Sequence, residues 1–118
     1  MQYLLLIHDR EADEAALTPE QTTSILTEYR KFHTDVEKSG KYVGSNRLRP
    51  TSTATTVRVR GGKMQTTDGP FAETREQLAG YYLVDAADLD DAVRLASKIP
   101  SAKSGSIEVR PIWPMTEM

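Results

Sequence analysis

Residues 2–8 read Gln-Tyr-Leu-Leu-Leu-Ile-His, and this stretch decides the fold class of the chain. Successive side chains of an extended strand point to opposite faces, so Tyr3, Leu5 and Ile7 share one face and the other two leucines share the second. An antiparallel sheet with one wet face alternates apolar and polar residues, and this stretch does not. The apolar run is too short to cross a membrane and lacks the flanks of a signal peptide. We therefore expect a first strand that is covered on both faces.

Two helices are predicted from capping signals and apolar periodicity. Thr18 is a candidate N-cap, the proline after it suits the first helical position, and Gln21 stands where a capping box places its return hydrogen bond. Gly40 is the candidate C-terminal stop of this helix. Its apolar side carries Ile25, Leu26, Tyr29, Phe32, His33 and Val36. The second helix is predicted to begin after a cap at Asp88 and to end before Pro100.

The remaining segments read as strands and connections. The predicted strands span residues 41–49, 53–60, 63–67, 78–86 and 106–113, and residues 11–17 are predicted to be a polar connection. Gly61 and Gly62 predict a two-residue hairpin turn, because a positive φ has no steric cost for glycine. An irregular stretch follows from Asp68 to about Gln77. Since no repeat, linker or low-complexity tract interrupts the chain, residues 1–118 are predicted to form a single domain.

The order β-α-β, hairpin, β-α-β predicts an α+β fold of the ferredoxin-like class, with both helices on one face of the sheet. The other face would then carry apolar side chains of the first strand with no helix to cover them. At about 25 cal/mol per Å2, leaving two leucines in water forfeits several kcal/mol, which is comparable to the stability of a small domain. We therefore expect a homodimer packed sheet to sheet. The alternative is a monomer whose hairpin folds back over that face.

Composition and charge argue against several kinds of site and binding partner. The chain has no cysteine, which excludes disulfides and Cys-based metal sites and fits a cytoplasmic location. Two histidines and scattered carboxylates show no metal-site spacing, and we predict no cofactor. The net charge is −2, but residues 38–67 hold seven basic residues and no acidic one. No aromatic residues interleave with these arginines, so nucleic-acid binding is disfavoured, and no membrane association is predicted.

Residues 68–83 begin Asp-Gly-Pro-Phe and resemble the DGPF group of the YCII-related family, as do residues 54–60 and 105–111. This resemblance implies a ferredoxin-like fold and a dimeric α/β barrel. By analogy, the wider dimeric-barrel group includes enzymes that act on small aromatic or lactone substrates, and DGPF proteins are often associated with extracytoplasmic-function sigma factors. The broader family places a His and an Asp in its active site. This chain departs from that pattern, with Tyr29 at the position of the His and His33 one turn further on.

The candidate catalytic residues are Asp68, Glu73, His33 and Tyr29. A carboxylate held in a partly apolar pocket beside an aromatic ring can serve as an acid or base, and the two helix residues can orient a substrate. The alternatives are structural. Asp68 can form an Asx turn, Phe71 can plug the core, and Glu73 can belong to an exposed acidic turn paired with Arg75. His33 and Tyr29 can be core or interface residues.

The candidate ligand-binding residues are His8, Arg47, Arg49, Arg58, Phe71, Arg75 and Tyr81. Arginines two apart line one face of a strand, so Arg47 and Arg49 together with Arg58 and Arg60 would form a cluster if their strands were neighbours. Such a cluster can hold a carboxylate, phosphate or phenolate. The alternative is a solvated face whose charges balance acidic helices of a second subunit. His8 is expected to point away from the adjacent Asp9.

These residues predict a cofactor-free small-molecule enzyme or ligand binder with an acid/base pocket near the Asp68 loop. The expected ligand is a small anionic or aromatic compound, and the expected reaction is proton transfer on an aromatic or carbonyl compound. The alternative is a non-enzymatic regulatory or protein-interaction module linked to a sigma factor. A third hypothesis, nucleic-acid binding by the basic hairpin, predicts an affinity that falls steeply with salt.

Overall fold

The computed structural model describes all 118 residues, as six strands and three α-helices. In chain order these are β1 (Gln2–Asp9), α1 (Glu11–Ala15), α2 (Pro19–Lys38), β2 (Tyr42–Arg47), β3 (Thr55–Arg60), β4 (Lys63–Asp68), β5 (Gln77–Asp85), α3 (Leu89–Ser97) and β6 (Ser106–Pro111). Short 3₁₀ turns span Thr51–Thr53, Pro100–Lys103 and Met115–Glu117. No helix combines the length and the apolar composition that crossing a bilayer requires.

The predicted helix signals are confirmed at both ends of α2. Thr18 Oγ1 accepts the Gln21 N–H at 3.1 Å, and Gln21 Oε1 accepts the Thr18 N–H at 2.9 Å, which completes the capping box. Gly40 has a φ of 76° immediately after the helix. Asp88 caps α3 through the Asp91 N–H. One prediction was wrong: the connection after β1 contains the short helix α1, whose three acidic residues favour the positive end of the helix dipole.

The four-stranded sheet has the order β2-β5-β1-β6, and every neighbouring pair is antiparallel, which confirms the α+β ferredoxin-like fold. Helices α2 and α3 pack on one face. The buried core combines side chains of both layers: Tyr3, Leu5, Ile7, Tyr82, Val84 and Ala86 from the sheet side, and Phe32, Val36, Ala92, Leu95, Ala96 and Ile99 from the helix side. Tyr3, Leu5 and Ile7 therefore share one buried face, as predicted for the first strand.

The second face of the sheet has no helix. We call it the open face; it carries Leu4, Leu6 and His8 of β1 with Tyr81 and Leu83 of β5, all half-buried. The chain measures 48 × 46 × 19 Å, and the short dimension is that of one sheet and one helix layer.

Strands β3 and β4 form a separate two-stranded sheet and do not cover the open face. The turn at Gly61 and Gly62 has φ values of 58° and 76°, as predicted for a tight hairpin. The hairpin therefore does not fold back over the sheet in this structure.

Candidate functional site

A buried carboxylate lies at the end of β1, on the helix side of the sheet. Asp9 is only 8% exposed, and its Oδ2 accepts a hydrogen bond of 2.8 Å from Ser101 Oγ, itself 6% exposed. The Tyr29 hydroxyl lies 2.5 Å from the same serine oxygen. We call these three residues the Asp9 network. It brings together a strand end, helix α2 and the 3₁₀ turn after α3.

The number of protons that each group carries determines which atom donates in each of these hydrogen bonds. An ionised carboxylate only accepts, and a serine hydroxyl carries one proton, so Ser101 donates to Asp9 and Tyr29 donates to Ser101. The lone pairs of the Tyr29 oxygen remain available to a donor from outside. The network therefore connects a half-buried phenol to a buried carboxylate through one hydroxyl group.

Backbone packing holds the network in place. The Ser101 carbonyl accepts the Gly105 N–H at 2.7 Å, just after the 3₁₀ turn. A Cβ on Gly105 would lie 2.0 Å from the His8 carbonyl oxygen and 2.8 Å from Asp9 Oδ1. Only glycine lets this backbone approach β1 so closely.

Charge and burial act together around the network. Burial raises the pKa of the Tyr29 phenol above its ordinary value, and the charge of Asp9 adds to that rise. Helix α1 adds a second carboxyl group, Glu14. Burial and the Asp9 charge raise the pKa of Glu14, and the nearby Arg47 guanidinium opposes the rise. Two carboxyl groups, a phenol and an arginine thus influence one another at this end of the sheet.

Glu11 ties helix α1 to the base of the hairpin. Its Oε1 accepts the Thr51 N–H at 2.7 Å and its Oε2 accepts the Thr51 hydroxyl at 2.8 Å. The Glu11 N–H donates to Gln77 Oε1 at 3.0 Å, at the start of β5. These bonds fix the connection that carries Glu14, and therefore the rim of the Asp9 network.

His33 belongs to a different cluster, on the β2 side of the core. Its Nδ1 lies 3.0 Å from the Tyr82 hydroxyl and its Nε2 lies 3.1 Å from Glu37 Oε1. The Tyr42 ring packs edge-on against the imidazole. Burial, with contributions from neighbouring tyrosines, raises the pKa of Tyr82 to about 12. Tyr29 and His33 share helix α2 but their hydrogen bonds join them to different partners.

The Asp68 loop lies at the base of the hairpin. Asp68 is exposed and its side chain makes no hydrogen bond or ion pair, so the Asx turn is not formed. Gly69 makes the bend instead, with a φ of 99° and its N–H bonded to the Ala54 carbonyl. Phe71 is 80% exposed, so the alternative that it plugs the core is wrong. Glu73 lines a small cavity of about 260 Å3 with Thr51, Pro70, Ala72, Thr74 and Gln77.

The predicted arginine cluster does not form within the chain. Strand β2 pairs only with β5 and strand β3 only with β4, so Arg47 and Arg58 lie on strands that are not neighbours. Arg49 follows the end of β2. Arg75 is exposed and forms no ion pair, including with the adjacent glutamates.

The remaining two predicted ligand residues lie on the open face. His8 is opposite Leu78 and Ser106 in the sheet, and it points away from Asp9 as expected. The Tyr81 hydroxyl accepts a hydrogen bond of 2.8 Å from Asn46 Nδ2. Neither side chain forms a hydrogen bond with the Asp9 network.

A larger cavity of about 390 Å3 lies between α2 and α3. Several of its basic side chains have structural partners: Lys41 and Arg94 both pair with the buried Asp91, and Lys103 lies 3.7 Å from Glu28. The C-terminal ends of both helices favour cations here as well. The packing of the two helices accounts for this cavity.

Two members of the network, Asp9 and Ser101, were not among the predicted site residues, and neither was Glu14. The sequence carried a signal for Asp9, because Asp9 continues the alternate positions Tyr3, Leu5 and Ile7, whose side chains are buried on one face of β1. A carboxylate in that phase needs a donor inside the protein. No local pattern pointed to Ser101, which lies 92 residues away.

Comparison with known proteins agrees with this architecture. The YCII-related domain matches residues 1–116. An uncharacterized protein of Rhizobium meliloti (strain 1021), R00369, is 37% identical over 114 residues, which cover 95% of this chain and 92% of that protein. The chain therefore belongs to the YCII-related domain family.

Proposed function

We propose that the protein is a cofactor-free enzyme that transfers a proton on a small aromatic or carbonyl compound, with the Asp9 network as its acid/base group. The observation that carries this proposal is the hydrogen-bonded path from the Tyr29 hydroxyl through Ser101 to a carboxylate buried to 8% exposure. Buried titratable groups that interact with one another cluster at functional sites. The proposed site lies at the end of β1, and the Asp68 loop is joined to it where Gln77 Oε1 accepts the Glu11 N–H.

The proposed transfer uses three protons in sequence. A substrate gives its proton to the Tyr29 oxygen, Tyr29 passes its own proton to Ser101, and Ser101 passes its proton to Asp9. The carboxylate becomes a carboxylic acid and the substrate becomes an anion, so charge is balanced. Return of the proton at a different substrate atom completes an isomerisation and restores the network. Arg47 stands close enough to Glu14 to act on its pKa, and it is the candidate to hold the anion.

Deuterium exchange tests this activity on several classes of compound in parallel. A panel of small aromatic acids, lactones and β-dicarbonyl compounds is incubated with the protein in D2O, and exchange is followed by NMR. We expect exchange on at least one class of compound, with Tyr29→Phe and Asp9→Asn slowing it by about 100-fold or more. Asp68→Asn is the control and should retain full activity.

Three results would count against the Asp9 network. If Asp68→Asn abolishes exchange and Tyr29→Phe does not, the acid/base group lies in the Asp68 loop. If no compound exchanges but one binds, the protein is a ligand binder. A stoichiometric protein partner without binding of any compound would support the regulatory alternative.

We also propose that two copies pack through their open faces as a homodimer. Leu4, Leu6 and Leu83 give that face its apolar character, and no helix of the chain covers it. Light scattering after size exclusion should give twice the monomer mass for the wild type. Leu6→Arg should give the monomer mass, while Leu89→Arg, which alters an exposed leucine on the helix side, should remain dimeric.

A further inference from the structure

The hairpin of β3 and β4, which we call the arm, has two chemically different faces. The first carries Val57, Val59 and Met64, which are 59%, 60% and 72% exposed, and the register places Val59 opposite Met64. The second face carries Arg58, Arg60 and Lys63. A face with three large apolar side chains at that exposure has no partner in its own chain.

The arm also lacks the packing that would make it stable by itself. An isolated two-stranded hairpin is at best marginally stable in water, and it needs a third strand or a packed layer. Here all six residues of β4 are exposed, and no element other than β3 packs extensively on it. Its attachment is at the base, where Gly69 bonds to Ala54 and the Thr56 hydroxyl donates to the Gly69 carbonyl.

The basic side chains of the arm form no ion pairs either. The ion pairs of the chain involve none of Arg47, Arg49, Arg58, Arg60 or Lys63. Residues 38–67 hold no acidic residue, while all 17 acidic residues lie in the rest of the chain. Outside residues 38–67 the chain holds eight basic and 17 acidic residues, so that part of a second copy has the charge opposite to that of Arg58, Arg60 and Lys63.

The shape of the chain shows that the arm projects outward. The radius of gyration is 16.4 Å, against about 13.5 Å for a compact domain of this length. The short dimension of 19 Å leaves no room for the arm above the open face, so it extends roughly in the plane of the sheet. A six-residue strand is about 20 Å long, and two sheets packed face to face lie about 10 Å apart. The arm is long enough to reach a facing subunit.

We propose that the arm of each protomer packs its Val57, Val59 and Met64 face on the second copy, with its long basic side chains reaching acidic residues at the rim of the contact. This inference rests on the homodimer proposed above. Steering by opposite charges and burial of the apolar face act together in such a contact. The arm is then an element of the interface, stabilised only in the assembled dimer.

Sedimentation equilibrium on two matched variants tests the apolar contact. Val59→Asp places a charge on the apolar face, and Gln65→Asn is a neutral change on the opposite face, across from Arg58, that leaves the charges of that face unaltered. We expect Val59→Asp to raise the dimer Kd by at least tenfold and Gln65→Asn to change it less than threefold. Circular dichroism should show an unchanged core in both, because the arm lies outside it.

Limited trypsin digestion gives an independent readout, since the arm carries three cleavage sites at Arg58, Arg60 and Lys63. Cleavage at these sites should be at least tenfold slower in the wild-type dimer than in the Leu6→Arg monomer. A dimeric wild type with an unprotected arm and an unchanged Kd for Val59→Asp would overturn the inference and leave the dimer standing. A wild type that is monomeric at every concentration would remove both. Protection that requires added DNA or RNA, and that disappears steeply with salt, would instead assign the arm to nucleic acid.

Discussion

Ser101 Oγ donates a hydrogen bond of 2.8 Å to Asp9 Oδ2, and the two residues are separated by 92 positions in the sequence. This bond joins the end of the first strand to the turn that precedes the last strand. It supplies the donor that a carboxylate in the buried phase of β1 requires. The same serine oxygen accepts a hydrogen bond from Tyr29, so that one hydroxyl group serves both the fold and the proposed chemistry.

Ser101→Ala is predicted to affect both stability and the proposed activity. Asp9 would lose its side-chain donor while remaining buried, which costs about 1–3 kcal/mol of unfolding free energy. Urea denaturation followed by circular dichroism measures this loss. Ser104→Ala, at an exposed serine in the same turn region, is the control and should unfold within about 0.5 kcal/mol of the wild type. Equal stability of the two variants would mean that the Asp9 contact contributes nothing to the fold.

Gly105→Ala is predicted to destabilise the protein by about 3 kcal/mol, because overpacking against rigid backbone forces β1 and the 3₁₀ turn apart. The added Cβ would stand 2.0 Å from the His8 carbonyl oxygen. Gly44→Ala is the matched control, since its Cβ would meet nothing within 4 Å and its φ is not positive. Thermal unfolding of both variants checks the prediction. A Gly105→Ala protein as stable as Gly44→Ala would show that this backbone contact is looser than the structure describes.

Asp91 is predicted to govern part of the acid stability. Hydrogen bonds from Lys41 Nζ, from the Ala87 N–H and from Arg94 hold the pKa of Asp91 well below its usual range. A depressed pKa in the folded state contributes stability above the ordinary aspartate pKa of about 4, and that contribution is lost as the pH falls further. Urea denaturation between pH 7 and pH 2 should therefore show a shallower decline for Asp91→Asn than for the wild type.

The neighbouring Asp90 provides the comparison for that measurement. It is exposed and forms no ion pair, so Asp90→Asn should follow the wild-type pH profile. If the profiles of Asp90→Asn and Asp91→Asn coincide, the acid dependence arises elsewhere in the chain.

Glu11→Ala is predicted to release the base of the arm. Thr51 would lose two hydrogen bonds to a carboxylate, and bonds to charged groups contribute about 1.5–3 kcal/mol each. Amide hydrogen exchange at Thr51 should accelerate about 10-fold or more, because local opening becomes easier. Asp13→Ala, in the same helix α1 but without a side-chain bond, should leave that exchange rate unchanged. An unaltered rate in Glu11→Ala would contradict the role of the Glu11 carboxylate at Thr51.

Much of the fold was predictable because its signals are local. The capping box at Thr18 and Gln21, the turn at Gly61 and Gly62, and the two-faced apolar pattern of β1 each depend on neighbouring residues, and each is confirmed. Helix α1 was not predicted, because a five-residue helix is too short to show a 3.6-residue period of apolar residues. The direction of the arm was not predicted, because it depends on which contacts the hairpin does not make with the rest of the chain.

The site was predictable only in part. Tyr29 was a candidate and lies in the Asp9 network, but the side chains that give it a chemical context come from residues 9 and 101. Such a meeting is set by how the 3₁₀ turn packs against the end of β1, which no short window of sequence contains. Asp68, by contrast, carried a strong local motif and makes no side-chain bond in the structure.

The arm has a consequence for how relatives of this chain can diverge. Because β3 and β4 share no core with the four-stranded sheet, residues can be added or removed in pairs near Gly61 without disturbing the rest of the domain. A longer or shorter arm would change the proposed contact with a second copy, while the hydrogen bonds among Tyr29, Ser101 and Asp9 include no residue of the arm. The proposed contact and the proposed chemistry can therefore diverge separately within one small domain.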